Sequence, residues 1–173
     1  MYSKIFFLLF ASILVLAKCS TFKNNVKTST KYLGGINCLI ESVFNVENIA
    51  NEFIYDIQIC NNTKPSKFLT QIEDYCKSFG ELTENIIDAH DNICKNAAYN
   101  ETTDVKKITP TLCVSSIRTR MAKLNDLLEK SLNYVTNKAE KITDSCSKIA
   151  VNNLKLNLPI FTELVEYCAK LFK

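Results

Sequence analysis

Tryptophan is absent, histidine occurs once, and only three glycines and three prolines interrupt 173 residues. A single histidine cannot furnish the usual transition-metal site, so the sequence points to no metal and no cofactor. Three glycines offer no glycine-rich phosphate loop, and neither a serine elbow nor a zinc-helix motif occurs. Eight cysteines are present but no C-x-x-C pair, which argues against zinc knuckles and thioredoxin-type redox sites. No stretch alternates strictly between apolar and polar residues, so strands are not expected. The net charge of +3 is small and evenly spread, which implies neither a nucleic-acid partner nor an anionic membrane.

The chain opens with Lys4 and an apolar run, Ile5 to Leu16, broken only by Ser12 and followed by small residues up to Ser20. This is the layout of a cleavable secretory signal and is too short to span a bilayer. We assign residues 1–19 to the leader, with cleavage after Ala17 or Cys19 left open, and 20–173 to one domain. No later apolar run is long enough for a transmembrane segment. A domain of this size buries about two thirds of its unfolded surface, and its expected location is secreted, extracellular.

Periodicity supplies the fold. Positions 113, 117, 121, 124, 128, 131, 135, 139, 142, 146 and 149 are apolar except Ser131, and their ten steps cover 36 residues. That is the 3.6-residue period of a straight amphipathic helix. The pattern predicts one long helix from Thr109–Pro110, an N-cap followed by a first-turn proline, to Asn153. That length is far above the usual, so a bend or break is expected within it, at its weakest stretch, Asn133–Asn137. Residues 20–33 are polar and without period and read as a flexible lead-in, closed by a break at Gly34-Gly35. A first helix follows over 36–60. Helices at 66–79 and from 82 onward come next, or one helix kinked at Gly80. A last helix spans 160–171, after a turn framed by Asn152-Asn153 and Leu158-Pro159. The expected fold is all-α, an elongated antiparallel bundle of four to five helices, disulfide-stapled.

Cysteines at 38, 60, 76, 94, 113, 146 and 168 in an exported chain read as cystines. Pairing neighbours in order, with Cys19 retained, gives 19–38, 60–76, 94–113 and 146–168, while Cys38–Cys94 competes. Cys146–Cys168 is expected because the two flank a turn centred near residue 157. Asn61-Asn62-Thr63 and Asn100-Glu101-Thr102 are glycosylation sequons in inferred loops, which makes Asn61 and Asn100 the acceptors. His90 lies on the edge of an apolar face one turn before Cys94. A boundary histidine beside a structural cystine accounts for it better than a Cys/His nucleophile, and no catalytic residue is assigned. Ten phenylalanines and seven tyrosines fit a plain core, or the lining of a cavity for an apolar ligand.

Cys38 and Cys60 around Phe53-Ile54-Tyr55, Leu112-Cys113 opening a long helix, and Cys146 and Cys168 around Pro159-Ile160-Phe161 give the chain its outline. In this placement it resembles the TsetseEP-like domain, a family of small secreted insect proteins, over about residues 38–170. The acidic-proline tail of the family's namesake is missing. The resemblance implies a secreted, disulfide-bonded helical protein and supplies no catalytic residues. The expected function is that of a non-enzymatic interaction protein of an extracellular fluid. The alternative is a carrier of an apolar small molecule or lipid. The partner is accordingly an extracellular protein or an apolar ligand.

Overall fold

The computed structural model describes residues 21–60, 66–138 (the Ala97 side chain excepted) and 142–173. The helical periods become α1 (21–29), α2 (Leu33–Ile59), α3 (Lys67–Asn92), α4 (Thr111–Lys138), α5 (Ser145–Asn157) and α6 (Ile160–Leu171). A 3-10 turn at Asn96–Ala98 lies between α3 and α4. Helices α2, α3 and α4 have 27, 26 and 28 residues, so each is about 40 Å long at ~1.5 Å per residue. They pack side by side in the order α4, α3, α2, and α5 and α6 lie along α2. One core joins them, built on Leu39, Val43 and Val46 of α2, Ile72, Phe79 and Ile86 of α3, Ile117, Met121 and Leu124 of α4, and Phe161 of α6. This is the all-α, disulfide-stapled bundle that the periodicity indicates.

Several local expectations change. Lys67–Asn92 form one helix through Gly80, because the buried positions Ile72, Cys76, Phe79, Thr83, Ile86 and His90 stay in phase across it. A Cβ at Gly80 would touch nothing within 4 Å, so no close approach demands the glycine. The break expected at Asn133–Asn137 falls just beyond it, where the long helix ends at Lys138, and a new one starts where Asp144 accepts hydrogen bonds from the Cys146 and Ser147 amides. The buried face turns there: Cys146 and Ile149 are exposed, and Ser147, Ala150, Val151 and Leu154 point inward instead. Thr109 is not the N-cap of α4; the helix begins at Thr111, and the Thr109 hydroxyl has no partner.

The lead-in is also a helix. Phe22 and Val26, one turn apart, are buried, and the Phe22 ring packs tilted against Phe161 of α6 with centroids 5.7 Å apart. Arg118 of α4 clips the other end of α1, donating to Thr30 Oγ1 at 2.7 Å and to the Lys27 carbonyl at 3.1 Å. Gly34 and Gly35 do not break the chain but sit in the first turn of α2. A Cβ on Gly35 would come within 1.9 Å of the Ser29 carbonyl oxygen, so the close return of α1 over α2 requires glycine there. The unpaired amides that begin any helix are met at α2 by the loop between α3 and α4: Leu33 donates to the Lys107 carbonyl and Gly34 to that of Val105.

The cystines correct the sequence most. Cys94 is bonded to Cys113, as neighbour pairing suggests, but Cys38 is bonded to Cys168 and Cys60 to Cys146. Cys76 is a free, buried thiol. The expected pairs 146–168 and 60–76 therefore do not form. Cys19 lies outside the described residues, and its expected partner Cys38 is already taken. The cause is the link between α5 and α6. Leu158 and Pro159 both have right-handed helical dihedrals, with φ/ψ of −54°/−39° and −64°/−22°. Proline removes a helix hydrogen bond and kinks the path, yet the chain continues in the same direction instead of reversing. Cys146 and Cys168 end up at opposite ends of a two-part helix that runs antiparallel to α2, each facing a cysteine of α2.

Candidate functional site

The residues singled out in the sequence do not converge. His90 is 6% exposed, its Nε2 is 2.8 Å from Asn37 Oδ1 of α2, and its Nδ1 is 3.3 Å from Asp91. Burial lowers its pKa below the usual histidine value, outweighing the raising effect of Asp91. Cys94, one turn on, is closed in its cystine, so it cannot act as a thiolate beside this imidazole. The free thiol is at Cys76, where burial, with a smaller contribution from the charge of Glu73, pushes the pKa up to about 12. It stays protonated and inert at physiological pH. Among the described residues, no group of three or more His, Cys, Asp or Glu side chains is placed to hold a metal ion.

Asn100 lies on an exposed turn, and its Oδ1 accepts from the Thr102 amide at 2.9 Å and the Thr102 hydroxyl at 2.6 Å. The sequon is thus presented at the surface with its hydroxyl against the acceptor side chain. Asn61 falls outside the described residues.

What the chain does assemble is a crevice that the sequence reading missed. It lies where α1 meets α4, walled by residues 108–109 and by Phe172, and has a volume of about 650 Å³. Lys27, Lys31, Arg118 and Lys173 line it together with the hydroxyl residues Thr28, Thr30 and Thr109, and no aspartate or glutamate is among its lining residues. Ile108, Val114 and Phe172 form its apolar wall. A second cleft of about 330 Å³, lined by Phe22, Val26 and Ala122, shares Asn24, Lys27 and Arg118 with the first. Arg118 sits at this junction. Partial burial lowers its pKa from the ordinary value, and no carboxylate among the described residues forms an ion pair with it. Thr109 is only 5% exposed and its hydroxyl is unpaired, whereas buried hydroxyls almost always have a partner. No local signal marks this site in the sequence, because its residues come from four separate segments.

The fold and crevice define a disulfide-stapled helical bundle with a basic surface cleft. No family model matches the chain, and no curated protein or solved structure matches it. Among the described residues, no helix is long and apolar enough to cross a membrane.

Proposed function

We propose that the protein is exported and acts outside the cell by binding, not by catalysis. The observation that carries this reading is the set of three cystines, which join α2, α4, α5 and α6 to one another or to the loop after α3. Such bonds persist in oxidising compartments and are rare in the cytosol. The leader-like residues 1–19, the exposed sequon at Asn100 and the resemblance to the TsetseEP-like domain support the same reading. Six of the seven cysteines from residue 38 onward are paired and the seventh is buried. Cleavage after Cys19 thus leaves the exported chain without an exposed free thiol.

Between a surface-acting protein and an interior carrier, the cavities favour the surface. The small recess between α2 and α5, lined by Phe53, Ala150 and Leu154 together with Glu52 and Asn153, has a volume of about 10 Å³. That is room for about one water molecule, whereas the α1–α4 crevice is open and of ligand size. Expression of the full chain in a eukaryotic secretory host tests the role. The expected result is protein in the medium with a new N-terminus after residue 17 or 19, oxidised cysteines and a glycan on Asn100. Retention in the cytosol with reduced cysteines would contradict it, as would a turnover activity abolished by His90→Ala.

A further inference from the structure

We propose that the α1–α4 crevice binds an amphipathic anion, a carboxylate, sulfate or phosphate carried on an apolar body. The inference deepens the binding role above and rests on it. The head group meets Arg118, Lys27 and the Thr109 hydroxyl; the apolar body lies against Ile108, Val114 and Phe172.

Three independent features lead to this chemistry. The first is charge. Four cationic side chains, Lys27, Lys31, Arg118 and Lys173, line the crevice with no carboxylate side chain among them, so positive charge outweighs the single terminal carboxylate that Lys173 brings to its rim. The Lys31 ammonium rests 4.9 Å from the centre of the Tyr32 ring, which leaves its N–H groups free to turn outward. The second is donor capacity. A guanidinium has five N–H donors, and Arg118 uses one on Thr30 and one on the Lys27 carbonyl. The fork is thereby held in place with donors to spare, the arrangement suited to planar or tetrahedral oxyanions. The third is the Thr109 hydroxyl, buried without a partner in the crevice wall. A buried unpaired donor carries a desolvation cost, which an oxyanion that draws this hydroxyl into contact at the crevice wall removes.

The apolar wall decides what kind of anion fits. Ile108 is 76% exposed in the free protein and lines the crevice together with Val114 and Phe172. A bare inorganic ion would leave this surface wet, while an alkyl or aromatic body would cover it. The volume of about 650 Å³ suits a single small molecule, for which pockets of about 300–1,000 Å³ are usual.

The test uses the exported chain from residue 20 with its cystines intact. Dodecanoate is titrated below its aggregation limit, by calorimetry and by amide chemical shifts. Dodecanol, inorganic phosphate and phosphatidylglycerol vesicles are run beside it. We expect saturable one-to-one binding of dodecanoate, with shifts at Thr109, Arg118 and Phe172, and binding of dodecanol and phosphate each weaker by about tenfold or more. Lys27→Gln should weaken dodecanoate by severalfold without unfolding the chain, because its side chain is exposed. Thr109→Val is the most diagnostic variant: it should weaken binding while holding or raising Tm, since it removes the unpaired hydroxyl. Arg118→Gln should weaken binding by about tenfold or more but also loosens α1, so it is read only with the other two. Equal affinity for dodecanol, binding of phosphate as tight as dodecanoate, binding of vesicles alone, or Thr109→Val lowering Tm with affinity unchanged would each overturn the proposal. An exported, oxidised chain that ignores dodecanoate contradicts the ligand only. A chain that is never exported contradicts the binding role itself.

Discussion

Two antiparallel pairings share the bundle and are fastened differently. Along α2 and the kinked pair α5–α6, a cystine closes each end, Cys38–Cys168 at one and Cys60–Cys146 at the other. Between α3 and α4, one cystine lies near the α3 C-terminus, and the far end is held by aromatic rings. There Phe68 stacks on Tyr134 at 5.4 Å, Tyr75 meets Tyr134 edge-on at 5.8 Å, and Lys138 caps the Tyr134 ring at 4.3 Å. The difference follows chain order and helix length. Helices α3 and α4 are long and adjacent in sequence, so a broad packed face and one cystine across the connection between them suffice. Helices α5 and α6 have 13 and 12 residues, a length that is marginal alone. They must also find α2 across 86 and 130 residues of chain. Covalent rungs stand where packing is shortest and closure is least local.

Breaking a rung should therefore cost most along α2. Removing Cys38–Cys168 as the double alanine variant is expected to cost about 4 kcal/mol through the loop released in the unfolded chain. Removing Cys94–Cys113, which spans 19 residues, should cost about 3 kcal/mol. Urea melts compare the two, and amide exchange should show α6 opening first in the former variant. A larger loss from Cys94–Cys113 would break the comparison. Tyr134→Ala comes next, at roughly 2 kcal/mol from lost ring contacts and burial. Its effect should be confined to the α3 N-terminus and α4 C-terminus; a global loosening of α5 and α6 would contradict the division drawn here.

The smallest effect belongs to His90, which joins the two pairings through Asn37 beside Cys38. Its folded pKa is lowered, so the unfolded chain binds the proton more readily. Its contribution is fully present above the ordinary histidine value of about 6.5 and fades as pH falls toward the folded pKa. Stability measured from pH 7.5 to 5.5 should decline, and His90→Gln should flatten that slope. Because the chain has one histidine, a rise in stability on acidification would count directly against this sign.

The bundle itself was legible because each long apolar stripe keeps a 3.6-residue phase. α2 and α6 fall within a few residues of their sequence bounds, and Cys94–Cys113 follows from pairing neighbouring cysteines across the loop between two adjacent helices. Even the continuity of α3 was visible, since Ile72, Cys76, Phe79, Thr83 and Ile86 never lose phase at Gly80. The false hairpin arose because Asn152-Asn153 and Leu158-Pro159 carry turn-like composition, while Pro159 fits a helix start without reversing the chain. One clue went unused: Cys38 and Cys60 are 22 residues apart, and so are Cys146 and Cys168. Equal spacing is what two rungs of an antiparallel ladder require. α1 escaped because Phe22 and Val26 are too few to mark a period; its order comes from Arg118, Phe161 and Gly35, all distant in sequence. The crevice escaped for the same reason, being a product of how α1 and α4 meet.

The rungs can be read out directly. Digestion of the non-reduced, exported protein with thiols blocked, followed by mass spectrometry of the linked peptides, should show Cys38 joined to Cys168, Cys60 to Cys146 and Cys94 to Cys113. Cys76 should take up label only after unfolding, as its burial demands. A peptide joining Cys146 to Cys168 would mean that α5 and α6 fold back on each other, and the ladder along α2 would be wrong.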